Sequence, residues 1–191
     1  MSSAQAILDF WFQGDVTTPR PAWFQRDAAF DAAIQEKFGA LVGPARDGAL
    51  DGWAATPEGA LALLILLDQF PRNLFRGSAE AFASDPAARR LARQAVLRDR
   101  HDLALHPNQR PFLYLPFEHS EAMADQDLAV ALFEGLRDFP PQRAPGGGID
   151  YAWRHWRVIR RFGRFPHRNA VLGRDDTAAE AAYLATPGAG F

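Results

Sequence analysis

Thr56-Pro57-Glu58-Gly59-Ala60-Leu61-Ala62-Leu63-Leu64-Ile65-Leu66-Leu67-Asp68-Gln69-Phe70-Pro71-Arg72-Asn73 is the stretch on which the fold turns. Thr56 suits a helix N-cap, and Pro57 suits the first helical position, where its missing N–H costs nothing. Every residue from Ala60 to Leu67 is apolar, so a helix here has no polar face and belongs at the centre of a core. The run is far too short to span a bilayer. Pro71 cannot continue a helix, which predicts an end at about Gln69. Asp68 is then a carboxylate on an otherwise apolar helix, costly to bury unless paired.

The segments on either side also read as helix. Ala4 to Phe12 is a short aromatic helix ending near Gly14. Trp23, Phe24, Phe30, Ile34, Phe38 and Leu41 recur at helical spacing and predict an amphipathic helix from about Arg26 to Val42. Gly43-Pro44 should end or kink it. Ser84-Asp85-Pro86 opens a helix to about Arg98, and Asp125 opens one to Phe139 with Leu128, Leu132, Phe133 and Leu136 inward. Pro140 to Gly148 reads as a flexible connection, at about 140–148. Helix resumes from Ile149 to Gly163, and Thr177 with Glu180 makes a capping box for the last one. No apolar–polar alternation of the strand type is present. The fold class is therefore all-α, one domain over residues 1–191, an array of antiparallel helix pairs in a bundle or solenoid.

Composition narrows the function classes. At 48% hydrophobic and 23% charged, the chain is an ordinary globular one, and its fifteen Phe and five Trp make ring packing a large part of the core. The absence of cysteine removes disulfides, thiolate metal sites and cysteine nucleophiles. A net charge of −2 gives no bulk attraction to nucleic acid. With no signal-peptide pattern and no membrane span, cytoplasmic residence is the expectation. Of the 21 basic side chains only Lys37 is a lysine, so planar guanidinium groups carry nearly all the positive charge.

A doubled motif carries the candidate chemistry. Asp68-Gln69-Phe70-Pro71-Arg72-Asn73 precedes Arg76, and Arg164-Phe165-Pro166-His167-Arg168-Asn169 repeats its Phe-Pro and Arg-Asn about half the chain later. Between them lies Arg110-Pro111-Phe112-Leu113-Tyr114-Leu115-Pro116-Phe117-Glu118-His119-Ser120-Glu121. If a helix starts after Pro116, Glu118 and Glu121 share a face. Tyr151 to Arg174 holds seven arginines with His155 and His167 and no acidic residue, a local positive field. His155, Ile159 and Phe162 form one helical stripe, and Arg157, Arg161 and Arg164 another.

With Leu8-Asp9-Phe10-Trp11-Phe12, these three segments resemble the bacterial family called domain of unknown function 924, over nearly the whole chain. The resemblance implies a fold similar to tetratricopeptide-repeat proteins, an α-α superhelix of stacked helix pairs, and no established reaction. Pro44 and the Asp175-Asp176 link depart from that pattern, outside the three motif segments.

The side chains predict a polar pocket walled by Asp68, Arg72, Asn73, Arg76, Arg110, Glu118, His119, Glu121, His155, Arg161, Arg164, His167, Arg168 and Asn169. Glu118 and His119 are the acid–base candidates, Arg72, Arg164 and Arg168 hold an anion, and Asp68 orients an Arg. No metal-ligand signature, phosphate loop or dinucleotide fingerprint is present, so no cofactor is predicted. Two functional classes fit the same charges. One is a site for a small anionic molecule, with or without acid–base turnover. The other is a tetratricopeptide-like module holding an acidic or carboxylate-ended peptide. A third reading makes the charges a purely structural lattice.

Overall fold

Ser3 opens the first helix by accepting the Ala6 N–H on its hydroxyl at 3.2 Å, and α1 runs Ala4–Phe12 as its sequence predicts. The computed structural model describes residues 3–190; Met1, Ser2 and Phe191, within the domain bounds read from the sequence, lie outside the described residues. Packing gathers the chain into two compact units. The first holds the residues up to Arg76 with Glu80–Pro116, and the second holds Gly77–Ala79 with Phe117 onward. Among the described residues there is no strand, and no helix is long and apolar enough to cross a membrane.

In the first unit, α2 spans Ala28–Arg46 and carries Pro44 inside it, so the expected end at Val42 is four residues short. Gly43 explains the difference. The residue before a proline is driven from the helical region by clashes with its N–H and its Cβ, and glycine lacks the second. Val42 and Ala45 are both buried, so packing of the inner face carries the helix past the proline.

The central run forms as read and then departs at Pro71. Thr56 Oγ1 accepts the Gly59 N–H at 3.1 Å, and α3 (Pro57–Leu64) follows, with Ala60 to Leu66 fully buried. Ile65–Gln69 then widens into a π-helical turn, and the chain continues as α4 (Phe70–Leu74) instead of stopping at Gln69. The wide turn lets Phe70 N–H reach the Ile65 carbonyl, so Pro71 enters at the start of a new turn, where no N–H is required. α5 (Asp85–Ala92) also continues through a π turn, to Arg98. Proline at both 111 and 116 hid the next boundary: α6 spans Pro111–Glu118, ending where a helix was expected to begin. Trp11 anchors the aromatic core of this unit, its ring 5.5–5.7 Å from those of Phe30, Phe70 and Phe112.

In the second unit, α7 covers Met123–Glu134, ending before the expected Phe139 because the chain turns at Gly135. Its buried face is Gln126, Ala129, Val130 and Phe133, with Leu128 and Leu132 only half-buried. The stretch expected to be flexible contains a helical turn, α8 (Pro140–Arg143). Its glycines are spatial as much as conformational: a Cβ on Gly148 would lie 2.8 Å from the Phe133 ring. α9 (Gly148–Phe162) packs on α7 and α8, and Gly163 closes it in the left-handed conformation at φ 71°. α10 (Ala178–Leu184) starts from the Thr177–Glu180 capping box. Val158, Ile159 and Phe165 form a core packed by Met123, Phe162 and Tyr183.

Candidate functional site

The Phe-Pro corner of the first unit is a compact ion lattice. Asp68, 1% exposed in the π turn, takes Gln69 Nε2 at 2.5 Å and lies 3.3 Å from Arg72. Arg72 also grips Asp85 with two nitrogens at 2.9 and 3.1 Å and donates to the Asp68 carbonyl at 2.8 Å. Burial disfavours the Arg72 charge, and Asp68 and Asp85 more than offset it, raising its pKa. Asn73 and Arg76 both hold Asp31, at 2.7 Å and at 2.9 and 3.1 Å. Burial raises the Asp31 pKa, but Arg76 and Asn73 outweigh it and leave the carboxyl below its ordinary range. Arg110 donates to the Leu105 carbonyl at 3.0 Å. These guanidinium groups are engaged by acceptors of their own unit.

The remaining candidates belong to the second unit, and a framework positions them. Gln126, fully buried on α7, donates to the Glu118 and Ser120 carbonyls at 2.6 and 2.7 Å, satisfying acceptors that the end of α6 leaves open. Ser120 Oγ donates to Asp125 at 2.8 Å. Glu121, beyond the helix and not on one face with Glu118, is held by Arg174 at 2.8 and 3.0 Å and accepts the Phe165 N–H at 2.8 Å. Burial pushes the Glu121 carboxyl up; Arg174 and the Phe165 N–H prevail and hold it below its ordinary value.

On this frame a buried acid–base cluster forms. His155, from the middle of α9, sets Nδ1 3.1 Å from Glu118 Oε1 and 2.9 Å from the Tyr151 carbonyl. A carbonyl only accepts, so Nδ1 carries the proton and Nε2 keeps its lone pair. Glu118 and His155 are 2% and 7% exposed. The His119 ring stands edge-on to His155 with centroids 6.1 Å apart, and its carbonyl accepts from Arg168 Nη1 at 3.0 Å. Arg168, also buried, lies over the Phe165 ring at 4.4 Å. Glu118, His119 and His155 each offer one ligand-capable atom within 4.8 Å of the other two.

The His155 and His167 imidazoles are neutral in this setting. Burial, and then the neighbouring His119, drives the His155 pKa well below its ordinary 6.5. Burial and Arg168 lower His167 to about 4. Asn169, 1% exposed, donates to Asp176 at 2.7 Å, and its Oδ1 has no hydrogen-bond partner among the described residues.

Of the predicted residues, the second unit thus brings Glu118, His119, His155 and Arg168 into one cluster, with His167 in ring contact with Phe165. Two others serve elsewhere. Arg161 is exposed, with its guanidinium over Phe162. Arg164 forms a fork with Glu180 at 2.6 and 2.8 Å, which holds the Glu180 carboxyl well below its usual range. Sequence reasoning overlooked Gln126 and Arg174 as site-forming residues. Its helical register with Met123, Ala129, Val130 and Phe133 was the available signal for Gln126. Nothing local marks Arg174 among its basic neighbours. The first unit carries two open surface clefts, one beside Arg20 and Arg26 and the other beside Asp51 and His101.

Comparison with known proteins follows the same outline. A family model described as a bacterial protein of unknown function (DUF924) matches residues 7–188. A solved structure of a protein of unknown function from Agrobacterium tumefaciens is similar at 42% identity and a TM-score of 0.85, covering 95% of this chain and 96% of its own. Among the curated proteins, none matches.

Proposed function

The chain belongs to the DUF924 family, and from that premise we propose that the second unit binds a small anionic ligand beside Arg168, with His155 and Glu118 exchanging a proton with it. The observation that supports this reading is the buried Glu118–His155 pair, 3.1 Å apart, beside a buried guanidinium. Nε2 of His155 is a lone-pair base, and Glu118 stabilises the imidazolium that forms when the base takes a proton. Arg168 supplies a planar donor set matched to carboxylate or phosphate, in surroundings where charge-assisted hydrogen bonds are strong. Arg72, Arg76 and Arg164 enter this reading as scaffold: Arg72 and Arg76 hold Asp85 and Asp31 in the first unit, and Arg164 is forked on Glu180. Cytoplasmic residence is part of the proposal.

Thermal stabilisation of the purified protein by inorganic phosphate, sugar phosphates and small carboxylates tests it. One class should raise the melting temperature selectively, and Arg168→Lys, which keeps the charge and loses the fork, should abolish the shift while still folding. Equal stabilisation of both proteins would reject the role of Arg168. A second reading, an acidic peptide held by a tetratricopeptide-like groove, draws on the open cleft beside Arg20 and Arg26. Binding of a carboxylate-ended peptide that is lost in Arg26→Ala and retained in Arg168→Lys would favour it.

A further inference from the structure

Glu118 and His119 are adjacent at the end of α6, and His155 comes from the middle of α9. No spacing in the sequence announces them as a set, yet their ligand-capable atoms lie within 4.8 Å of one another. Donors bound to one tetrahedral ion at bonds of about 2.1 Å stand roughly 3.4 Å apart, so closing on an ion asks for a contraction of little more than about 1 Å. His119 is half-buried, the most exposed of the three. The other two are held from behind: Gln126 clamps the Glu118 carbonyl at 2.6 Å, and the Tyr151 carbonyl holds His155 at 2.9 Å. Hydrogen bonds of this kind behind a ligating imidazole fix its orientation.

The donor chemistry selects the kind of ion. Two imidazoles and one carboxylate suit first-row transition metals and zinc, whereas magnesium and calcium prefer oxygen donors throughout. Coordination requires an imidazole nitrogen with a lone pair, and with Nδ1 donating to the Tyr151 carbonyl His155 offers Nε2. Three protein ligands leave a coordination position open, as in catalytic sites. The neighbouring charges balance: Glu118 and Glu121 offset Arg168 and Arg174, so a divalent ion would make the cluster net positive and able to take up an anion.

We infer that Glu118, His119 and His155 form a binding site for one divalent transition-metal ion of the zinc, cobalt or iron(II) type. The site shares Glu118 and His155 with the anion reading, which depends in addition on Arg168, a residue the metal does not use. Calorimetric titration of chelator-treated full-length protein with Zn2+ alone should give one site per chain. Co2+ should produce visible absorption bands of nitrogen–oxygen coordination, and Zn2+ should displace it. Glu118→Gln and His119→Ala should each weaken Zn2+ by more than the roughly 10–100-fold that loss of a supporting outer-shell partner costs. Arg168→Lys should retain the metal, so failure of the anion reading leaves this result intact. Absence of a one-to-one Zn2+ isotherm with the wild-type protein would overturn the inference. So would Zn2+ affinity unchanged in both variants, with circular dichroism confirming that each is folded.

Discussion

Arg174 and Glu121, 53 residues apart in the chain, meet in a two-pronged ion pair at 2.8 and 3.0 Å, and the pair clasps both backbone polar groups of one residue, Phe165. Glu121 accepts the Phe165 N–H while Arg174 donates to the Phe165 carbonyl. The second Phe-Pro corner is thereby fixed to the loop that follows α6, and the acid–base cluster is fixed with it.

Removing Arg174 therefore tests the frame. Arg174→Ala leaves a half-buried carboxylate and the Phe165 carbonyl without their cation, and the partial exposure of both partners limits the loss to about 1–2 kcal/mol. Urea denaturation measures it. A double-mutant cycle with Glu121→Gln should return a coupling comparable to the single losses, and zero coupling would make the pair incidental.

Acid should weaken the fold in two stages. His155 and His167 hold protons less tightly when folded, so the unfolded chain takes them up first as the pH falls. Their contribution is complete above the ordinary 6.5 and is lost on descending towards the folded value of about 4 for His167. Each imidazole adds at most about 1.4 kcal/mol per pH unit to the slope. Glu121 and Glu180, held below their ordinary 4.5, add a further loss beneath that pH. Urea midpoints across this range should fall with pH, and His167→Gln should flatten the first stage. A level profile would show that the histidines titrate normally.

Gly148→Ala should destabilise by about 1–3 kcal/mol, because its Cβ meets Phe133 in a packed interior with nowhere to move. A melting temperature equal to wild type would show that the α8–α9 junction has slack.

Trp11→Ala should be among the most damaging single changes, at about 3–5 kcal/mol, since it empties the centre of the first unit's aromatic core. By contrast, Thr177→Ala removes one hydroxyl acceptor from an exposed helix start and should cost about 1 kcal/mol. Thermal melts of the two proteins compare packing with capping directly.

What could be read from the sequence was local. Thr56, Thr177 and Glu180 announce helix starts because each bonds within three residues of itself, and the run from Ala60 to Leu66 announces burial by having no polar face. Pro44 and Pro71 misled, because local breaking rules yield where Gly43 relieves the clash or a π turn reschedules the hydrogen bonds. The candidate list contained the residues of the buried Glu118–His155 cluster among others. His155 meets Glu118 across 37 residues, and a separation of that size carries no local trace. Arg174 was hidden for the same reason, its purpose lying entirely in Glu121.

Imidazole NMR of the five histidines during titration with inorganic phosphate tests the central claim most directly. His101 and His106 belong to the first unit and serve as internal references. If the cluster is the ligand site, His119 and His155 shift together and saturably, the references stay still, and Arg168→Lys removes the effect. Saturable movement confined to His101 or His106, or no movement of any ring by phosphate or a small carboxylate, would contradict it.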